Sequence, residues 1–148
     1  MDIFFGQLGL LISALFAGAA IYITVAEQPA RLKLSDAALL TEWKHAYKRG
    51  FAMQAPLALA GFLCGLAAYT EKQDSGFLIA ALLILANWPW TLLAIMPINR
   101  KLNAMDEAAA SPQIRELIIK WGSLHAVRSA LGIAAALSFF FTSISILP

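Results

Sequence analysis

Four long apolar blocks, separated by two basic stretches, most strongly limit what this chain can fold into. Ten of its eleven Lys and Arg residues lie in residues 27–49 and 97–128. Each block is about 20 residues long, which is what an α-helix needs to cross roughly 30 Å of hydrocarbon. The chain is 60% hydrophobic and 14% charged, unlike a soluble domain. We therefore predict an all-α fold, an integral membrane four-helix bundle that forms one transmembrane domain over residues 1–148.

The limits of the predicted spans follow from the positions at which polar residues interrupt the apolar blocks. Lys and Arg are costly to translocate, so the segments that carry them stay in the cytoplasm and both termini face outside. The first apolar run is longer than the core of a signal peptide, so we expect it to remain as a span. The predicted spans are residues 3–26, 50–69, 76–96 and 126–147, and the predicted cytoplasmic segments are 27–49 and 97–125.

The two halves of the chain resemble each other. In each half an apolar span ends at a proline followed by basic residues and Leu, as in Pro29-Ala-Arg-Leu-Lys-Leu and Pro97-Ile-Asn-Arg-Lys-Leu. Each half then continues into a helix with a tryptophan, Trp43 or Trp121, ahead of the next span. A 2+2 parallel repeat about an axis along the membrane normal would explain this pattern. Chance similarity between apolar sequences is the alternative, and both interpretations stay open.

Polar residues gather at the predicted cytoplasmic boundary, where four helices converge, so we expect their side chains to line one cavity. This polar set is Glu27, Gln28, Arg31, Tyr47, Arg49, Gln54, Asn99, Arg100, His125 and Arg128. Anchoring at helix ends, where long basic side chains reach the interface, is the structural alternative. An unpaired carboxylate in the membrane is costly, so we expect Glu27 to pair with Arg31 or with Arg128.

One face of the last helix carries the strongest candidate site, because Trp121, His125 and Arg128 share it at helical spacing. An imidazole can move a proton, and an arginine can hold a phenolate or a carboxylate. The predicted catalytic residues are His125, Arg128, Glu27 and Arg31. The predicted substrate-binding residues are Tyr47, Gln54, Asn87, Asn99 and Trp121.

Asn87 is a polar residue near the middle of the third predicted span. Its amide must hydrogen-bond a neighbouring helix or line a cavity, because lipid offers no partner. Pro89 frees the backbone carbonyl of Leu85, which is a candidate partner. Trp88 and Trp90 flank this proline and either fill the core or shape a pocket for a flat ligand.

Composition and motifs also exclude several kinds of site. The single cysteine, Cys64, excludes an internal disulfide and a thiolate cluster, and a net charge of +2 is too small to indicate nucleic-acid binding. The sequence has no nucleotide-binding glycine loop, nucleophile elbow or metal-ligand pair at helical spacing, so we expect no metal and no cofactor. Haem ligation by His45 and His125 is a weaker alternative. The expected partners are membrane lipid and a lipophilic small molecule, and homo-oligomerisation stays open.

Four segments carry a resemblance to a known family. They are Gly18-Ala-Ala-Ile-Tyr-Ile-Thr-Val-Ala-Glu27-Gln-Pro-Ala-Arg31, Tyr47-Lys-Arg-Gly50 with Met53-Gln54-Ala55, Pro97-Ile-Asn-Arg-Lys-Leu102 and Trp121-Gly-Ser-Leu-His125-Ala-Val-Arg128. They resemble the small four-span anthrone-oxygenase-like membrane proteins. Named members of that family oxidise an anthrone to an anthraquinone with molecular oxygen and no well-defined cofactor. The family usually has Glu-His-Pro-Ala-Arg in the first segment, so Gln28 replaces a histidine here.

The resemblance implies an oxygenase or oxidase of a lipophilic phenolic or polycyclic substrate that enters from the bilayer, in a bacterial inner membrane. In this hypothesis His125 takes a proton, while Arg128 and Arg31 stabilise the resulting anion. Trp121 and Tyr47 would stack on the substrate rings. The alternative hypothesis is a non-enzymatic membrane protein that binds a lipid, a quinone or a partner subunit through the same cavity.

Overall fold

Four long helices make up the fold in a computed structural model that describes residues 3–107 and 111–146. They are α1 (Phe4–Arg31), α2 (Asp36–Lys72), α3 (Ser75–Ala104) and α4 (Pro112–Ser145), and each is long and apolar enough to cross a membrane. The described residues contain no strand. This confirms the predicted all-α, four-helix membrane architecture. Residue 147 of the fourth predicted span and residues 108–110 of the second predicted cytoplasmic segment lie outside the described residues.

Local sequence sets the ends of the helices. Ser111 Oγ accepts a hydrogen bond from the backbone N–H of Gln113 at 3.3 Å, and Pro112 occupies the first helical position, where its missing N–H leaves no hydrogen bond unmade. Asp74 caps α3 in the same way, by accepting from the backbone N–H of Gly76 at 2.8 Å. Gln73 ends α2 with a left-handed φ of 57°. Because this turn is tight, α2 and α3 are antiparallel neighbours.

The helices pack as a ring in chain order, and α4 closes the ring against α1. The small-residue pair of α2, Gly61 and Gly65, lies in this packing. A Cβ on Gly65 would be 2.7 Å from the Cβ of Ala81 on α3, so no larger residue fits there, whereas a Cβ on Gly61 would have contacts of 3.4 Å or longer. Gly65 is therefore the residue that permits the close approach of α2 and α3.

The basic end of the bundle has its own core, because α2 and α4 are longer than a membrane span and extend past the end of α1. Leu40 and Trp43 of α2 pack with Leu102 of α3 and Ile118 of α4 in this core. Arg115 of α4 holds the connection after α1 in place. Its guanidinium donates to the backbone oxygens of Leu32 and Leu34, each at 2.6 Å, and pairs with Asp36 at 2.8 Å. These contacts hold the two extensions over the end of α1.

Two π-helical turns interrupt α1 and α3, at Ile23–Glu27 and Thr91–Ile95. Each turn is followed, after one residue, by a proline, Pro29 or Pro97. Proline has no N–H and its ring clashes with the carbonyl four residues earlier, and a widened turn relieves such a clash while rotating the side chains beyond it. π turns are frequent at functional sites. The equivalent placement in both halves supports the internal repeat, which stays a prediction.

Candidate functional site

A cavity at the basic end of the bundle is lined by all four helices. Its lining residues are Ile23, Glu27 and Arg31 of α1, Ala46, Tyr47, Gly50, Phe51 and Gln54 of α2, Thr91, Ile95 and Asn99 of α3, and Trp121, His125 and Arg128 of α4. We call this space the central cavity. α1 and α3 each contribute every fourth residue from the first position of the π turn onward. The two π turns therefore aim matching sets of side chains from opposite helices into one space.

Seven of the ten polar residues predicted to share a cavity do line the central cavity, but Gln28, Arg49 and Arg100 do not. Arg49 and Arg100 are exposed. Gln28 lies between α1 and α4, where its Nε2 donates to the backbone oxygen of Ile118 at 2.9 Å. Its side chain fills the space beside Gly122, where a Cβ would lie 2.6 Å from Nε2. The expectation for these three residues is therefore wrong, and the position at which the family usually has histidine lies outside the central cavity.

The rings of Tyr47, Trp121 and His125 line one side of the central cavity, and together with Trp43, which packs against Tyr47 and Trp121, they form what we call the aromatic wall. The indole of Trp43 stacks on the ring of Tyr47, with centroids 5.0 Å apart, and meets Trp121 edge-on at 5.9 Å. The imidazole of His125 in turn stacks on Trp121 at 4.9 Å. Trp121 Nε1 donates to Asn99 Oδ1 at 3.0 Å, so α3 fixes the orientation of the indole. The wall offers flat surfaces that suit an aromatic ligand.

The hydrogen bonds around Thr24 define how His125 faces the central cavity. Thr24 donates its one hydroxyl hydrogen to the backbone oxygen of Ala20 at 3.0 Å. Its oxygen also lies 2.9 Å from Ser129 Oγ and 3.4 Å from His125 Nδ1. When Nδ1 donates its hydrogen to this oxygen, Nε2 keeps the lone pair that a general base uses.

Arg31 is neutralised by two carboxylates. It pairs with Glu27 one turn earlier on α1 and with Glu42 of α2, the latter at 3.0 Å. Its guanidinium also lies over the ring of Trp121, 5.6 Å from the centroid. The predicted pairing of Glu27 with Arg31 is thus present, and the alternative pairing with Arg128 is not. These contacts tie α1 to α2 beside the aromatic wall.

Arg128 has a different environment from Arg31. It forms no ion pair with Asp or Glu among residues 3–107 and 111–146. Its guanidinium lies over the ring of Phe16, 5.5 Å from the centroid, and its Nε is buried without a hydrogen-bond partner in the described part of the chain. A largely buried guanidinium of this kind is a ready site for an anion.

Asn87 does not line the central cavity but an adjacent one, so the predicted site residues do not all meet in one space. The adjacent cavity is lined by Phe51, Gln54, Ala55, Ala58, Asn87, Trp88, Thr91, Leu92, Met96 and Arg128, and we call it the lateral cavity. Asn87 Nδ2 donates to the backbone oxygen of Ile84 at 3.0 Å, so the predicted partner, the carbonyl of Leu85, is wrong. Trp90 is structural, since its Nε1 donates to the backbone oxygen of Leu124 at 3.0 Å.

Three residues near the central cavity were missed by the sequence reasoning. Thr24 and Ser129 orient His125, and Glu42 is the second partner of Arg31. A hydroxyl in an apolar helix usually bonds to its own backbone, so Thr24 and Ser129 carry no signal of their own. Glu42 lies one residue before Trp43, on a helix already predicted to border the site, and this position was the available signal.

The space and ligand donors in the central cavity limit what it holds. The volume of the central cavity is about 20 Å³, which is room for about one water molecule. Over the described ranges, no three His, Cys, Asp or Glu side chains lie close enough together to hold a metal ion. The groups available for chemistry are therefore the imidazole of His125, the guanidinium of Arg128, the phenol of Tyr47 and the amides of Gln54 and Asn99.

Comparison with known proteins assigns the chain to a family. The family model described as anthrone oxygenase matches residues 43–138, more than half of the chain. The chain belongs to the anthrone oxygenase family. The matched region includes Tyr47, Gln54, His125 and Arg128, whereas Glu27 and Arg31 precede it. This confirms the resemblance noted in the sequence.

Curated relatives agree with the family assignment. The anthrone oxygenase of Claviceps purpurea is 35% identical over 121 residues, which cover 74% of this chain and 69% of the relative. The anthrone oxygenases tpcL of Aspergillus fumigatus and nsrD of Aspergillus novofumigatus are 31% and 29% identical, and each match covers 62% of both chains. No solved structure matches the chain.

The family assignment and the fold together define the class of protein. The chain is a multi-pass, helical membrane protein of an oxygenase-like family. These three relatives are all fungal, so they give no support to the expectation of a bacterial inner membrane.

Proposed function

We propose that the protein is an oxygenase of an anthrone-like substrate, a flat phenolic polycycle that reaches the central cavity from the membrane. The observation that carries this proposal is the meeting of two side chains in one aromatic-lined space: the imidazole of His125, and the guanidinium of Arg128, which has no carboxylate partner among the described residues. The names of the fungal relatives support the substrate class. On the orientation predicted from the basic residues, the cavity lies in the cytoplasmic half of the bundle.

The first step of the proposed reaction is removal of a proton from the methylene carbon of the anthrone. His125 Nε2 accepts this proton, and the electron pair left behind spreads over the rings onto the carbonyl oxygen. Arg128 stabilises the resulting oxyanion, because no carboxylate in the described part of the chain competes with the substrate for its charge. The rings of Trp121 and Tyr47, both part of the aromatic wall, pack against the flat anion and hold it in place.

Molecular oxygen is the oxidant in the second step. The carbanionic carbon forms a C–O bond with O₂, and the proton held by His125 moves to the outer peroxide oxygen. The O–O bond then breaks, and the departing hydroxide takes the second methylene hydrogen as a proton and leaves as water. One oxygen atom enters the new carbonyl group and the other becomes water, so anthrone and O₂ give anthraquinone and H₂O. The methylene carbon loses four electrons and O₂ gains four.

Arg31 and Glu27 have a supporting role in this proposal. Because Arg31 is already paired with two carboxylates, Glu27 and Glu42, the three side chains together carry a net negative charge and do not attract a substrate anion. We propose that the three side chains fix the positions of α1 and α2 relative to each other and to the ring of Trp121. Arg128 alone then supplies the anion contact that the sequence-based hypothesis divided between two arginines.

Oxygen uptake by the purified protein with an anthrone tests the proposal. Wild type should consume one O₂ per anthrone above the protein-free rate, and one ¹⁸O atom from ¹⁸O₂ should appear in the quinone. His125→Gln should lower the rate by about 10²- to 10⁴-fold, the usual range for loss of a general base. His45→Gln is the matched control, because His45 is the exposed second histidine. Equal rates for wild type and H125Q would remove His125 from the mechanism, and tight quinone binding without turnover would favour the non-enzymatic alternative.

A further inference from the structure

The lateral cavity lies beside the central cavity, between α2 and α3. The two cavities share Phe51, Gln54, Thr91 and Arg128 as a common wall. The volume of the lateral cavity is about 70 Å³, several times the volume of the central cavity. Its rim includes Leu92, which is 55% exposed in the isolated chain and lies on a predicted span, where exposed apolar side chains face lipid. The lateral cavity therefore connects the bilayer side of the bundle to the wall of the site.

Three residues that line the lateral cavity each have a buried polar atom with no hydrogen-bond partner within residues 3–107 and 111–146. These atoms are Gln54 Nε2, Asn87 Oδ1 and Arg128 Nε. The side chains of Gln54 and Asn87 are almost fully buried, at 1% and 2% exposure. Because Asn87 Nδ2 donates to Ile84, its Oδ1 is the end left to accept. Unpaired polar atoms in apolar surroundings are costly to the fold, so their convergence on one cavity points to a ligand that satisfies them.

The hydrogen-bonding types of these atoms, two donors and one acceptor, indicate the chemistry of the ligand. A phenolic hydroxyl can donate to Asn87 Oδ1 while its oxygen accepts from Gln54 Nε2 or Arg128 Nε. The remaining lining, including Phe51 and Trp88, is apolar and suits the ring that carries the hydroxyl. A saturated acyl chain would leave all three polar atoms unpaired, so ordinary lipid is a poor match.

The size of the central cavity gives an independent reason to involve the lateral cavity. The central cavity has room for about one water molecule, so it cannot hold three fused rings. A tricyclic substrate with one end at His125 must therefore reach past the common wall, and movement of the Phe51 and Gln54 side chains would join the two spaces.

We infer that the lateral cavity is the entry and recognition subsite for a hydroxylated ring of the substrate, with Asn87 as a specificity-determining residue. This inference rests on the proposed function for the identity of the substrate. The reacting ring lies at His125, and the outer ring with its hydroxyl lies between α2 and α3. A substrate without that hydroxyl enters the same space but leaves Asn87 and Gln54 unpaired.

Binding of two anthraquinones, neither of which can undergo the oxidation, tests this subsite without turnover. A dihydroxyanthraquinone and unsubstituted anthraquinone are titrated into the full-length protein in detergent, with tryptophan fluorescence as the readout. Asn87→Leu should weaken binding of the hydroxylated probe by about three- to tenfold, the range for one lost hydrogen bond, and leave the unsubstituted probe unchanged. Asn103→Leu is the matched control. Asn103 also donates to a backbone oxygen of its own helix, that of Asn99, at 2.9 Å, but it is exposed.

Two further variants keep the test decisive. If N87L fails to fold, Gln54→Met tests the other side of the lateral cavity, on α2, and should show the same selective loss of binding. Trp88→Phe should remove much of the fluorescence quenching by a bound probe. Equal losses for both probes, no loss for either, or no binding of the hydroxylated probe to wild type would overturn the inference. Selective probe binding by a protein that does not oxidise anthrone would support the subsite while refuting the proposed function.

Discussion

Trp121 and Asn99 are joined by a buried hydrogen bond, in which the indole Nε1 donates to the amide oxygen at 3.0 Å. The bond links α4 to α3 and orients the ring on which His125 stacks. Asn99→Leu would leave the indole donor unpaired, so we expect the free energy of unfolding to fall by about 1–3 kcal/mol. Oxygen uptake with an anthrone should fall as well, because His125 loses its fixed support. Both are measured on detergent-solubilised protein, and a variant as stable and active as wild type would contradict this role.

Arg31 and Arg128 should respond in opposite ways to replacement by leucine. Arg31→Leu leaves the partly exposed carboxylates of Glu27 and Glu42 without their partner, so we expect the free energy of unfolding to fall by about 1–3 kcal/mol. Arg128→Leu removes a charge that has no carboxylate partner among the described residues. We therefore expect R128L to be as stable as wild type or more stable, yet inactive with an anthrone. Denaturant unfolding and oxygen uptake are the measurements.

A reversed result for the two arginines would contradict this division of roles. If R31L were stable and inactive while R128L were unstable, Arg31 would be the anion site and Arg128 the structural cation. Arg100→Leu serves as the control for loss of a positive charge, because Arg100 is exposed and outside both cavities.

The connection after α3 should loosen at low pH. Thr41 donates to Glu107 Oε2 at 2.8 Å and Lys44 lies 3.4 Å from Oε1. The hydrogen bond from Thr41, with a smaller contribution from Lys44, holds the pKa of Glu107 below its ordinary value. The ionised carboxylate therefore stabilises this contact at pH values above the ordinary glutamate pKa, and the stabilisation is lost as pH falls through the lowered pKa.

Amide hydrogen exchange of residues 105–107, corrected for the intrinsic effect of pH, measures this loosening. Thr41→Val removes the donor, so its transition should lie at higher pH than that of wild type. Thr70→Val is the control, since Thr70 is exposed and donates to the backbone oxygen of Ala67 in its own helix. A transition at the same pH in wild type and T41V would show that Thr41 does not set the pKa of Glu107.

Much of the fold was predictable because lipid imposes simple rules. A span must be long and apolar, and its backbone must satisfy itself, so hydropathy located all four helices. Helical spacing also brought Tyr47 with Gln54, and His125 with Arg128, into one cavity. Spacing succeeds here because α2 and α4 run as regular helices through the site.

The parts that sequence reasoning missed depend on backbone irregularity and on partners distant in the chain. The π turns rotate the residues beyond Ile23 and Thr91, and the prolines that follow them, Pro29 and Pro97, mark the ends of the spans in the sequence without predicting a widened turn. Gln28 was misplaced for a simpler reason: consecutive helical residues point in different directions, so Glu27 lines the central cavity while Gln28 packs between α1 and α4. The difference between Arg31, which is paired, and Arg128, which has no carboxylate partner among the described residues, was likewise not predictable. It depends on Glu42 of α2, whose position opposite α1 follows from helix packing and not from spacing along one helix.

Hydrogen exchange at the methylene carbon of an anthrone, in D₂O without oxygen, tests the central claim about His125 most directly. It measures proton removal apart from the reaction with O₂. Wild type should exchange these hydrogens faster than the protein-free solution, and His125→Gln should lower the catalysed rate by about 10²-fold or more, while His45→Gln should match wild type. Equal exchange by wild type and H125Q would contradict the account.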